Sequence, residues 1–65
     1  MNTLEERITK VIENLTITIS GKKLLLLICE NSGDVVQKVL ARCLEINIEE
    51  LERIKLDLAK AMEAI

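Results

Sequence analysis

Few side chains in this sequence could do chemistry. Cys29 and Cys43 are the only thiols, and the chain has no histidine to act as their base. Nucleophilic catalysis by serine or cysteine ordinarily needs such a base. Cys29 closes an apolar run and Cys43 lies among apolar residues at helical spacing, surroundings that leave a thiol inert, so both are read as structural. Two thiols with no Cys-x-x-Cys pair and no imidazole do not make a zinc site unless carboxylates complete it. Glu49, Glu50 and Glu52 are the densest carboxylates, but near-consecutive acids diverge around a helix and are read as a solvated face. The run SGKK, residues 20–23, matches the end of a phosphate-binding loop, yet it lacks that loop's earlier glycine and a clear preceding strand. No enzyme activity, metal or cofactor is expected.

The elements that would position these residues are helical. Leu4, Ile8, Val11, Ile12 and Leu15 recur at three and four, which predicts a helix over 3–15 with Thr3 as cap and Glu6 completing a capping box. TITIS, residues 16–20, alternates like a strand, and with Gly21 it could begin a short hairpin. A lone hairpin is unstable, so a loop or frayed helix end is preferred. GKKLLLLICEN reads as a second helix capped by Ser20, and its all-round apolar stretch Leu24–Ile28 predicts burial at the centre of the fold or against a second subunit. A third helix follows from Ser32 or Asp34, with Val35, Val36, Val39, Leu40, Cys43 and Leu44 on a wide apolar face. A fourth starts at Asn47 as cap, with Ile48, Leu51, Ile54, Leu58, Met62 and Ile65 as its buried stripe. The predicted fold is one all-α domain of three or four helices.

A chain of 65 residues with 49% hydrophobic residues and no aromatic side chain carries more aliphatic surface than one small core hides. A homodimer is therefore expected. Leu51, Ile54, Leu58, Met62 and Ile65 are the candidate self-association residues, since the last helix also fits the alternating spacing of a helix that pairs with its copy. The opening MNTLEERITK is polar, and the longest apolar run, Leu24–Cys29, is far below the ~20 residues that span a bilayer. The expectation is a cytoplasmic protein with no membrane partner and with reduced cysteines.

Val39–Ile54, VLARCLEINIEELERI, sets apolar residues where a steep helix crossing wants them. Leu40-Ala41 is followed by Leu44, then Ile46, the capping Asn47, Leu51 and Ile54. This pattern resembles the helix-turn-helix superfamily. With Leu24–Asp34 as leading helix, residues 22–56 resemble the core of arsenic-repressor-like and multiple-antibiotic-resistance-regulator-like domains without a wing. The resemblance implies a helix-turn-helix-like crossing, and if DNA is bound the groups available for it in this chain are Lys22, Lys23, Lys38, Arg42, Asn47 and Arg53. The chain departs from the family where glycine usually makes the turn, because Glu45 stands there.

Charge argues against nucleic acid. Four acids and no base lie between Glu45 and Glu52, and residues 43–65 carry a net −3 against +1 for residues 1–42. Phosphate affinity comes from lysine and arginine, and carboxylates on a recognition helix would oppose it. The favoured expectation is a small interaction or regulatory module that binds another protein through Glu49, Glu50, Glu52 and Arg53 and also self-associates. A wingless DNA-binding regulator is the alternative.

Overall fold

The computed structural model describes residues 3–64. They form two long helices, α1 (Leu4–Glu30) and α2 (Val35–Glu63), joined by a four-residue turn, and no strand occurs among the described residues. The helices run antiparallel in a hairpin with extents of 49 × 19 × 12 Å and a radius of gyration of 15.0 Å. A compact domain of this length would have a radius of gyration of about 11 Å.

Local chemistry fixes the helix ends. At the start of α1 the Thr3 hydroxyl accepts the Glu6 N–H at 3.1 Å, as the sequence predicts, with Glu5 and Glu6 at the positive end of the helix dipole. Asn31 ends α1, its backbone and side-chain amides both donating to the Leu27 carbonyl, and the Ser32 N–H donates to that of Cys29. Ser32 Oγ then accepts the Asp34 N–H, and Asp34 Oδ1 accepts the Val36 N–H at 2.9 Å to cap α2. The reversal is built from polar side chains bonding to the backbone, and Gly33 adopts no positive φ.

The all-α expectation agrees with this structure, while the three or four separate helices do not appear. The boundaries expected at Ser20 and Asn47 lie inside continuous helix. TITIS is helical rather than loop or strand: Ile19 continues the buried stripe of Leu15, no second strand is at hand, and the Thr16 hydroxyl donates back to the Ile12 carbonyl at 2.8 Å. α2 runs unbroken through Glu45, Ile46 and Asn47, so the crossing expected there is not formed. No glycine or proline interrupts residues 35–63, and an uninterrupted helix satisfies every backbone group that a turn would strand.

With two helices there is only one seam. Along α1 it runs Ile8, Ile12, Leu15, Ile19, Lys22, Leu26 and Cys29, and along α2 Ala41, Leu44, Ile48, Leu51, Lys55, Leu58 and Met62, all buried or half-buried. Both series alternate three and four, the spacing that keeps a stripe facing an antiparallel neighbour. Cys29, Ala41 and Leu44 cluster beside the turn with Leu26 packed against them, and near the open end the Thr9 hydroxyl approaches Met62 Sδ at 3.8 Å. These two contacts set Cys29 level with Ala41 and Ile8 level with Met62, and the layers between follow in order.

The expectation that Leu24–Ile28 lies at the centre of this chain's fold is corrected, and of the apolar face of Val35, Val36, Val39, Leu40, Cys43 and Leu44 only Leu44 is buried within the chain. Leu24, Leu25, Leu27, Ile28, Val35, Val36, Val39, Leu40 and Cys43 are all exposed, since no third helix lies over them.

Gly21 sits in the middle of α1 with nothing within 4 Å of where a Cβ would stand. Gly21→Ala is expected to raise the unfolding free energy by about 0.5–1 kcal/mol, the helix-interior cost of glycine. Chemical denaturation at fixed protein concentration checks this, and an unchanged midpoint would refute it.

Candidate interaction surfaces

The seam divides the rest of the hairpin into two broad faces, read by position. In each helix the residue just after every second seam residue lies on one face, and the residue just before the alternate seam residues lies on the other. The first face carries Thr9, Thr16, Lys23 and Glu30 from α1 and Lys38, Glu45, Glu52 and Ala59 from α2. Lys23 Nζ meets Glu52 Oε1 there at 2.9 Å, with both side chains about half exposed. Such an exposed pair adds little stability, on the order of 0–1 kcal/mol. It does show that the two rows face one another. Glu49, Arg42 and Leu56 flank the same face. A shallow open groove runs along it between Thr16, Ser20 and Lys23 on one side and Glu52, Lys55 and Leu56 on the other.

The second face differs in kind. Its row on α1 is Leu4, Val11, Thr18 and Leu25, and its row on α2 is Leu40, Asn47, Ile54 and Ala61. None of these eight carries a charge. They recur every seventh residue along almost the whole hairpin, and all are exposed except half-buried Asn47.

The residues predicted to bind a partner are thereby separated. Glu49 and Glu52 lie on the charged face, Glu50 flanks the uncharged one, and Arg53 points to the outer edge of α2. The predicted self-association set divides too. Leu51, Leu58 and Met62 face α1 of the same chain, whereas Ile54 is exposed on the uncharged face. Ile65 lies outside the described residues. Of the candidate DNA-binding residues, Lys22 is half-buried in the seam, Lys23 is paired with Glu52, and Asn47 is half-buried in mid-helix; Lys38, Arg42 and Arg53 are exposed. Lys38 and Arg42 share their face with Glu45, Glu49 and Glu52.

Cys29 is buried and Cys43 exposed, both as free thiols, so the expectation of a buried Cys43 is corrected. Among the described residues no group of three or more His, Cys, Asp or Glu is placed to hold a metal ion. No helix among them is long and apolar enough to cross a membrane.

Sequence reasoning missed the uncharged rows. Their signal is a seven-residue recurrence at 4, 11, 18, 25 and at 40, 47, 54, 61, which is hidden when Leu4 and Val11 are merged with Ile8 and Ile12 into one stripe. It also missed the lysines of the seam, because a charged residue breaks an apolar stripe to the eye while its alkyl stem still packs.

Fold and surfaces together define an antiparallel helical hairpin with one charged and one uncharged broad face. The chain matches no known protein family, no curated protein and no solved structure.

Proposed function

We propose that this protein is a small, non-enzymatic interaction module that works by presenting helical faces to other protein surfaces. The observation that carries the reading is the surface left uncovered. The hairpin exposes 5096 Å², whereas a compact protein of its 7.3 kDa mass exposes about 4,200 Å². Much of that surface is large aliphatic side chain, and contiguous apolar surface on a small protein marks contact with another macromolecule. The absence of histidine and the open, shallow groove favour binding over catalysis.

The charged face, centred on Glu49 and Glu52, is the side for a protein partner with complementary basic groups, where it would steer encounter and select the partner. Affinity capture from the source cells tests this, using the wild type, Glu49→Lys with Glu52→Lys, and Glu50→Lys. A protein held by the wild type and by Glu50→Lys but lost, by about tenfold or more, from the double variant is the expected result. Equal recovery by all three, or none by the wild type, refutes the reading.

DNA binding through Lys22, Lys23, Lys38, Arg42, Asn47 and Arg53 has less support. One of these lysines lies in the seam, another is tied to a glutamate, and the exposed bases on the charged face are interleaved with acids.

A further inference from the structure

We infer that the uncharged broad face is covered by a second copy of this chain, making a four-helix bundle in which both hairpin turns lie at the same end. The inference rests on the reading of the protein as an interaction module and names the occupant of one of its faces.

Four observations converge. The first is the width of the apolar stripe. A two-helix seam needs two of every seven positions, but the row beside it is apolar at Leu4, Val11, Leu25, Leu40, Ile54 and Ala61 and uncharged at Thr18 and Asn47, which widens the stripe to three along most of the hairpin. That is the pattern of a helix in a bundle, where every helix touches two neighbours. The second is size. Seen from this side the whole hairpin outlines 49 by 19 Å, an upper bound on the order of 900 Å² for the face and comparable with the ~800 Å² that each partner contributes to a standard stable interface.

The third is the contrast between faces. Pairing through the opposite side would bury Lys23, Glu45, Glu49 and Glu52, and desolvating those charges opposes association. The uncharged face carries no such penalty along its two central rows. It is also self-complementary, as a two-fold dimer requires, because each helix supplies one row.

The fourth observation sets the orientation. The outer flank of this face carries Arg7, Asn14, Gly21 and Ile28 on α1 and Val36, Cys43, Glu50 and Asp57 on α2. With the turns together, α1 of one copy lies over α2 of the other. Glu50 is then level with Gly21 of the partner and Asp57 with Asn14 of the partner, whose amide can donate to it. With the turns at opposite ends, α2 lies over α2 and the two Glu50 carboxylates come together near the dyad, with Arg53 one turn away as the nearest base on α2. Like charges brought together disfavour that contact, modestly where solvent screens them. The first arrangement also joins the most apolar parts of the face, Leu25 and Ile28 with Val36 and Leu40.

Ile54 and Leu56 give the discriminating pair of variants. They are two residues apart on α2 and similarly exposed, 49% and 55%, but they lie on opposite faces. Sedimentation equilibrium on the full chain is expected to give twice the 7.3 kDa mass for the wild type and for Leu56→Glu. Ile54→Glu is expected to weaken the dimer by at least about tenfold, with helix content by circular dichroism retained in all three. A monomeric wild type, or equal effects of the two glutamates, overturns the pairing. Neither result touches the capture experiment on Glu49 and Glu52, so failure of this inference is distinguishable from failure of the functional reading.

Orientation is read from a spin label on Ser32→Cys in a Cys43→Ser background, where the remaining Cys29 is buried. A label-to-label distance well below half of the 49 Å hairpin length is expected, and a distance near that full length overturns the turn-together arrangement.

Discussion

Leu44→Ala is expected to lower the unfolding free energy by about 2–3 kcal/mol, near the low end of the cost of truncating a buried leucine. Leu44 is 8% exposed and packs in the cluster with Cys29, Ala41 and Leu26. Two of these neighbours are small, so few atoms can move in to fill the space. The hairpin can close slightly around it, which keeps the loss below the upper end of the range. A domain of 65 residues has about 3–10 kcal/mol in all, so this single change removes a large part of the total. The thermal midpoint should fall by about 10–20 °C. Leu56→Ala, on an exposed leucine of the same helix, should stay within about 0.5 kcal/mol of the wild type. Urea denaturation of both variants checks the pair, and equal losses would mean that the seam is not where the buried residues place it.

The second large effect runs in the other direction. Lys22 and Lys55 occupy seam positions, half-buried, one level with Ile48 and the other with Leu15. At a half-buried position a lysine stem can cover apolar neighbours while its ammonium group stays in water. Replacing both with leucine converts partly solvated layers into apolar ones. The double variant is expected to gain about 1–3 kcal/mol, a fraction of the burial free energy of two leucines because neither site is fully enclosed. Specificity should suffer at the same time. A polar residue at a seam position restricts which helix registers and assembly sizes are tolerated, at a cost in stability. The variant should therefore show species beyond the wild-type mass in sedimentation velocity, while Lys60→Leu, at an exposed position, should match the wild type in stability. A double variant no more stable than the wild type would show that the two ammonium groups make interactions worth as much as the leucine burial.

The seam lysines also explain how much of the fold was legible in the sequence. The helical class was, because three-and-four spacing extends through most of the chain and no proline interrupts it. The cap at Thr3 was legible, and the cap of α2 was narrowed to Ser32 or Asp34, of which the structure uses Asp34, since short polar side chains at helix starts bond to exposed N–H groups whatever the rest of the fold does. The number of helices was not. Ser20 and Asn47 are good capping residues by type, but a cap works only where the chain leaves the helix, and nothing at 16–21 or 45–47 forces it to leave. β-branched Thr16, Ile17, Thr18 and Ile19 lower helix propensity by only a few tenths of a kcal/mol each, which burial of Ile19 and its seam neighbours outweighs. Glu45, standing where a helix-turn-helix would carry glycine, was the one local sign that α2 continues. The acidic character of α2 was visible from composition. Its division between two faces, with Glu49 and Glu52 apart from Glu50, depends on knowing which residues meet α1, and that is a property of the hairpin.

Placing the buried Cys29, Ala41 and Leu44 cluster beside the turn also bears on how the chain reaches its folded state. These residues are separated by little more than the turn itself, whereas Thr9 and Met62 are 53 positions apart. Loop-closure entropy rises with separation, so the first contacts to form at small cost are those next to Asn31–Asp34. The hairpin should nucleate there and zip outward layer by layer, a low-contact-order route that favours fast folding. The free ends would close last and open first. In kinetic terms, truncations near Leu44 would act mainly by slowing folding, and truncations near Met62 by hastening unfolding.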